Sequence, residues 1–251
     1  MSPALEGAGD AQRASAVDLD VLSAGAAKGL VEALQGGFRT DTGAGIAGTF
    51  GAVGAIRAQF EGGAACDVLI LTASMLDELA RDGSLARDTI APLGRVFTGI
   101  AVRSGDTHPA IADRGSLREC LAAATALYCP DTERATAGIH FVHVLRELGL
   151  WPGAAARLRA YPSGAIAMRE LAQTREAGLI GCTQVTEILY TPGVELVGPL
   201  PAAFELATVY SVAVHARARQ PELARRLVDL LAGPGAREVR ERGGFAATAG
   251  D

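Results

Sequence analysis

The stretch Phe50–Thr72, FGAVGAIRAQFEGGAACDVLILT, decides the fold. Its opening residues, Gly51, Ala52, Gly54 and Ala55, are small and form a turn. An amphipathic helix follows over Ala52–Glu61, the pair Gly62-Gly63 breaks it, and Asp67–Thr72 closes the stretch as a strand buried on both faces. A small-residue turn at a helix start leaves backbone N–H groups uncovered, and such a start is a natural anion site. The stretch therefore predicts an α/β protein that holds a small anionic ligand in a cleft.

The same alternation continues on both sides. Asp18–Ser23 reads as a strand, Ala27–Gln35 as a helix, Ile46–Thr49 as a strand, and Ser74–Asp82 as a short helix with Ser74 and Asp77 near its start. After the strand Arg95–Arg103 the pattern restarts, with a helix over Ser116–Ala123, a strand over Ala126–Cys129 and a helix over Ala137–Leu148. Gly164–Ala177 reads as a helix, Gly178–Cys182 and Val194–Val197 as strands, Ala207–Val214 as a returning strand, and Glu222–Leu231 and Ala236–Arg242 as the last helices. Strands alternating with helices of this length imply parallel βαβ units. Two halves of similar grammar, joined by extended segments near 96–103 and 207–214, predict two lobes with two hinge strands and a ligand cleft between them. The expected division is a disordered tail over 1–16, one lobe from 17–98 plus 208–251, and a second lobe from 99–207.

Bulk properties narrow the function. A chain of 251 residues with 49% apolar content can bury a sizeable core. A net charge of −5 with scattered basic residues argues against nucleic acid as a partner, and 5% aromatic content argues against a stacking platform. No apolar run approaches the roughly 18–20 residues of a membrane span, so membrane insertion is not expected. Met1–Ala16 has neither the basic start nor the apolar core of a secretory signal, which predicts a cytoplasmic protein, or a periplasmic one if a leader has been removed. Cys66, Cys120, Cys129 and Cys182 include no CxxC pair; reduced, mostly buried thiols are expected, with no metal and no cofactor.

Four segments carry a family resemblance: VDLDVLSAGAAKGLVEAL, FGAVGAIRAQFEGGAACDVLILTASMLDELARDGSL, TAGIHFVHVLRELGL and LVDLLAGPGAREVRERGGF. In this order, over residues 17–245, the chain resembles the type II periplasmic binding proteins, and within them the molybdate-binding receptors of ABC transporters. The resemblance implies a tweezer of helix N-termini, with two side-chain hydroxyls and a tyrosine closing on a tetrahedral anion. The three corresponding places here are the turns Gly25-Ala26-Ala27 and Gly51-Ala52-Val53-Gly54 and the strand end Ile180-Gly181-Cys182, and none carries an oxygen. A buried dianion deprived of several hydrogen bonds of about 1.5–3 kcal/mol each loses most of its affinity. Molybdate, tungstate and sulfate are therefore disfavoured, and a larger organic anion, a carboxylate above all, is expected.

The ligand-binding residues expected from these positions are Ala26, Lys28, Ala52, Val53, Arg134, Thr136, Ala137, Ser163, Thr183 and Gln184. Lys28 and Arg134 would hold carboxylates, and the amides near Ala137 and Gly138 an oxyanion. Each also has a plainer reading. Lys28 and Arg134 suit solvated surface charges, Ser163 a helix cap with Tyr161 in the turn before it, Thr183 and Gln184 the amides of a strand end, and Glu187 a cap or an exposed helix charge. His140, near the start of a helix, is the candidate catalytic base, against a packing role for it and for His143.

The superfamily also contains enzymes, among them an aconitate isomerase of similar overall design. The resemblance thus implies a cofactor-independent isomerase that moves an allylic proton on a carboxylate substrate. The alternative is a non-catalytic solute-binding protein, with an ABC permease as partner, or a ligand sensor.

Overall fold

The computed structural model describes residues 18–248. The tail expected over 1–16 lies outside the described residues. In chain order the strands and helices are β1 (Asp18–Ala24), α1 (Lys28–Thr42), β2 (Gly45–Gly51), α2 (Val53–Glu61), β3 (Val68–Thr72), α3 (Ala73–Arg81), β4 (Ala91–Arg103), α4 (Arg114–Ala123), β5 (Ala126–Pro130), α5 (Thr136–Glu147), β6 (Leu158–Tyr161), α6 (Gly164–Gln173), β7 (Leu179–Gln184), α7 (Val185–Tyr190), β8 (Val194–Pro199), β9 (Ala207–Val214), α8 (Pro221–Ala232) and α9 (Arg237–Arg242). A single 3-10 turn, Gly25–Ala27, leads from β1 into α1.

The strands lie in the order β2-β1-β3-β9-β4-β7-β5-β6, with β8 also paired to β4. In the first lobe β1 runs parallel to β2 and β3, and in the second β5 runs parallel to β6 and β7. Short strands joined through helices must run parallel, because only a helical crossover returns the chain to the same end of the sheet. The exceptions are β4 and β9. β9 is antiparallel to both β3 and β4. β4 pairs with β9 over Ala91–Phe97 and then with β7 and β8 from Thr98 onward. These long strands are the two hinge segments expected near 96–103 and 207–214, and they stitch the lobes together.

Hydrophobic burial explains why the opening stretch fixes the first lobe. All five residues of β3, VLILT, are buried, since β1 and β9 flank the strand and helices cover its faces. Burying each such aliphatic side chain stabilises by roughly 1.5–3 kcal/mol. α2 turns Val53, Ile56 and Phe60 inward onto the same core. Asp67, just before β3, is fully buried and fully employed: its Oδ2 accepts from Asp20 N at 3.0 Å and its Oδ1 from Arg219 N at 2.7 Å. The buried apolar residues separate into one cluster drawn from 19–96 and 210–245 and others drawn from 100–204, which is the packing basis of the two lobes.

Several boundaries differ from the sequence expectation. α1 continues to Thr42 through Gly36-Gly37, because Phe38 is buried and holds the extra turn to the core. α6 ends at Gln173 instead of 177, where the Thr174 hydroxyl closes on the Glu170 carbonyl at 2.8 Å. α3 is capped by Thr72, not Ser74 or Asp77, and α4 by Asp113, with Ser116 completing a reciprocal box. β6 and α7 have no counterpart in the sequence reading. α7 starts directly from β7 with no turn residue between them, and its Val-Thr-Glu-Ile opening has the β-branched look of a strand.

Candidate functional site

The carboxyl ends of β1, β2, β5 and β7 point toward the seam between the lobes, where a narrow cleft with a cavity volume of about 20 Å³ lies. Four helical starts meet around it: the turn Gly25–Ala27 leading into α1, and the first residues of α2, α5 and α6. The first N–H groups of any helix have no partner within it. The starts at Gly25, α2 and α5 also have no side-chain cap. α6 differs, since Ser163 Oγ accepts from Ile166 N at 3.3 Å. The lobes touch at the mouth, where Gly54 N donates to the Arg134 carbonyl at 3.2 Å.

Glu187 is the charged side chain of this cleft. It rises from α7, is 6% exposed, and its Oε2 accepts from Thr183 Oγ1 at 2.5 Å. The amides of Ala165, Gln184 and Gly164 also point to its carboxylate. Burial pushes its pKa up, and these donors pull it part of the way back. Two glycines make room for it. A Cβ at Gly164 would lie 2.0 Å from Glu187 Oε2, and one at Gly25, across the seam, 2.6 Å from Oε1. Beside it the buried Tyr210 hydroxyl from β9 accepts from Gln184 Nε2 at 3.2 Å and also bonds the Thr136 hydroxyl. Burial raises the Tyr210 pKa strongly, so the phenol stays protonated. Gln184 Oε1 has no hydrogen-bond partner among the described residues.

Of the residues expected from sequence, Ala26, Ala52, Val53, Thr136, Ala137, Ser163 and Gln184 border the void together. Thr183 stands behind it and reaches it only through Glu187. The expectation of a basic cleft is corrected, because no Lys, Arg or His lines the void among the described residues. Arg134 is exposed and contributes its carbonyl to the contact with Gly54. Lys28 pairs with Glu32 at 3.6 Å and sits against the rings of Tyr190 and Phe50. His140 does not border the void; its Nε2 lies 2.8 Å from the Phe204 carbonyl. His143 is exposed beside Glu147 at 3.0 Å. Tyr161 stacks on Tyr128 with ring centroids 5.7 Å apart.

Sequence reasoning missed Tyr210, and it set Glu187 among the polar residues at the cleft loops but favoured a cap or an exposed helix charge for it. The positions at Ala26, Ala52 and Cys182 indeed lack an oxygen, but Thr136, Ser163 and Tyr210 bring hydroxyls to the cleft from other elements. A usable signal for Glu187 was its spacing of four from Thr183, which places the two side chains on one side of the β7–α7 junction.

The chemistry of this cleft is that of a neutral donor cradle with one resident carboxylate. Among the described residues no three His, Cys, Asp or Glu side chains gather as a metal site. No helix among them is long and apolar enough to cross a membrane. Cys66, Cys129 and Cys182 are buried free thiols and Cys120 is half-buried; burial pushes the Cys66 thiol up to about 12.

Known proteins share this design. The periplasmic molybdate-binding protein of Azotobacter vinelandii superposes with a TM-score of 0.74 at 20% identity, covering 92% of this chain and 99% of that one. The sulfate-binding protein of Mycobacterium tuberculosis gives a TM-score of 0.69 at 16% identity, covering 93% and 88%. These likenesses show the fold. An aconitate isomerase from Pseudomonas is 30% identical over 183 residues, which span 71% of this chain and 66% of the relative. The family described as bacterial extracellular solute-binding protein matches residues 19–246. This match corrects the cytoplasmic placement expected from Met1–Ala16: the family points to a periplasmic or extracellular protein. On a match that takes in both lobes and the whole cleft, the chain belongs to the bacterial extracellular solute-binding proteins.

Proposed function

We propose that the protein is a solute-binding protein that takes a small carboxylate into the interlobe cleft and passes it to an ABC permease. The observation that carries this reading is the convergence of three helical starts without side-chain caps on one void, with no cationic side chain in its lining among the described residues. Helix ends and their N–H groups hold an anion without a counter-ion, and a ligand held without an ion pair is released more readily when the lobes part. The relatives' names agree in ligand type, since molybdate, sulfate and aconitate are all small anions. Glu187 favours a carboxylate over sulfate, because beside a second negative group an anion basic enough to share a proton is held at less cost. A thermal-shift series with cis-aconitate, succinate, phosphate, sulfate and molybdate tests the reading. A carboxylate at about 100 times its dissociation constant adds about 2.7 kcal/mol of stability. Stabilisation by molybdate or sulfate alone, or by none of the five, defeats the proposal.

A second reading, isomerisation of the bound carboxylate, is favoured by the identity to an aconitate isomerase together with a buried carboxylate beside the void. In that reading Glu187 takes an allylic proton from substrate carbon, backbone amides hold the charge delocalised into the substrate carboxylate, and the Glu187 acid, after exchange with solvent, returns a proton at the other allylic carbon. What supports Glu187 for this step over His140 is its burial at the void. Incubation of cis- or trans-aconitate with the protein in deuterated water tests it: deuterium enters substrate carbon if the reading is right, and binding without exchange leaves the solute-binding reading alone.

A further inference from the structure

Glu187 already occupies part of the cleft's donor set. One of its oxygens takes the Thr183 hydroxyl, and the amides at the start of α6 also point to the carboxylate. Those amides would otherwise serve an incoming anion. The ligand therefore enters beside a carboxylate and not beside a cation. Two buried like charges in one low-dielectric site cannot both stay ionised, and the pair then titrates as a unit.

Among the described residues the surroundings offer no countercharge. From β7, Thr183 and Gln184 face Glu187; from α6, the backbone of Gly164 and Ala165; from the turn after β1, Gly25; from β9, the protonated phenol of Tyr210. The charged groups on the elements packed around α7 are engaged elsewhere or exposed. Lys28 on α1 pairs with Glu32, Arg103 on β4 with Asp106, and Glu195 on β8 with His108, while Arg169 and Glu170 on α6 are exposed.

We propose that Glu187 is the specificity-determining residue of the cleft: its carboxyl group and a carboxylate of the ligand share one proton in an O–H···O contact, so each bound anion carries one proton from solvent into the closed site. This inference rests on the carboxylate-binding reading above. It names the selected class as anions basic enough to hold a shared proton, which sulfate, a far weaker base, is not. The proton comes from water, and no other co-reactant is needed. Gln184 borders the same void and its buried Oε1 has no partner among the described residues, so a ligand carrying a hydroxyl or a second, protonated carboxyl would satisfy it where a bare oxyanion would not.

Isothermal titration with cis-aconitate and succinate, in buffers of differing ionisation enthalpy, counts the protons. The wild-type protein takes up about one proton per ligand near pH 7, and affinity weakens about tenfold per pH unit through that region. Glu187→Gln, whose amide imitates the protonated acid, binds with no proton uptake and a flat pH profile, and discriminates less against sulfate. Uptake of no proton by the wild-type protein, or of the same number by Glu187→Gln, overturns the pairing while leaving carboxylate binding intact. Absence of any carboxylate binding in either protein removes both the reading and this inference. If Glu187→Gln fails to fold, the wild-type proton count decides alone.

Discussion

Thr183 Oγ1 donates to Glu187 Oε2 at 2.5 Å, and this pair ties the end of β7 to the first turn of α7 inside the cleft. A carboxylate kept this deep, on a helix of only six residues, is costly for the fold. Four donors from Thr183, Gly164, Ala165 and Gln184 offset that cost. The same geometry makes the group sensitive to pH, to added volume and to the lobes' approach.

Burial sets the direction of the pH effect. It raises the Glu187 pKa above the ordinary 4.5, against the lowering effect of its hydrogen bonds. A carboxyl group with a raised folded pKa binds its proton more tightly in the folded protein. Its stabilising contribution is complete below the unfolded pKa and is lost as pH rises through the folded one. Glu187→Gln keeps the size and removes the titration. Urea unfolding of the ligand-free proteins across pH therefore shows the wild type losing stability relative to Glu187→Gln from pH 4.5 upward. Parallel pH profiles for the two proteins would mean that Glu187 does not carry a raised pKa.

Gly164 is a position where added volume acts directly on Glu187. An alanine methyl there would meet both Glu187 Oε2 and Thr183 Oγ1 at 2.0 Å. Helix propensity favours alanine over glycine by roughly 1 kcal/mol, but overpacking of this kind costs about 1–3 kcal/mol. Gly164→Ala is thus expected to lower stability modestly and to weaken cis-aconitate binding by more than about tenfold, because the expelled carboxylate falls into the void. Titration calorimetry and urea unfolding on the same preparation check both parts, and unchanged affinity would show that Glu187 does not border the bound ligand.

His140 offers the contrasting case. Its ring bonds the Phe204 carbonyl at 2.8 Å and so ties α5 to the turn before β9. His140→Ala is expected to cost about 1 kcal/mol of stability and to change cis-aconitate affinity by less than about twofold. Loss of deuterium exchange in this variant, with binding retained, would restore His140 as the base.

The fold was legible because its signals are local. The apolar run Val68–Thr72, the Gly62-Gly63 break and the small turn at Gly51–Gly54 each follow from side-chain chemistry within a few residues. The backbone part of the site was legible for the same reason: Ala26, Ala52, Val53 and Ala137 are small residues at helical starts, and such starts lie at the carboxyl ends of strands. The side-chain part was not. Lys28 and Arg134 lie beside the cleft in sequence, yet α1 turns Lys28 toward Glu32, and the loop before α5 leaves Arg134 exposed. His140 and Ala137 sit on one helix, but only its first turn meets the void. Glu187 and Tyr210 lie 23 positions apart in sequence and meet only because α7 packs across the seam where β9 returns, and no short-range pattern encodes that meeting.

Closure itself hangs on Gly54. Its amide donates to the Arg134 carbonyl at 3.2 Å, and a Cβ at this position would sit 3.2 Å from that same oxygen. Gly54→Leu therefore sets two effects against each other. Inside α2 leucine is the better helix former by up to about 1 kcal/mol, so the first lobe holds or gains stability. At the seam a Cβ alone already touches Arg134 Cβ at 3.5 Å and Cα at 3.6 Å, so the rest of the leucine side chain wedges the lobes apart. The expected result is an unfolding midpoint equal to or above the wild type, together with at least about tenfold weaker cis-aconitate binding, or ~1.4 kcal/mol. Small-angle scattering separates this from a folding defect: with saturating cis-aconitate the wild-type protein holds its smaller radius of gyration, and Gly54→Leu stays expanded. A variant that binds as tightly and scatters as compactly as the wild type would show that the bound state does not use the Gly54–Arg134 contact.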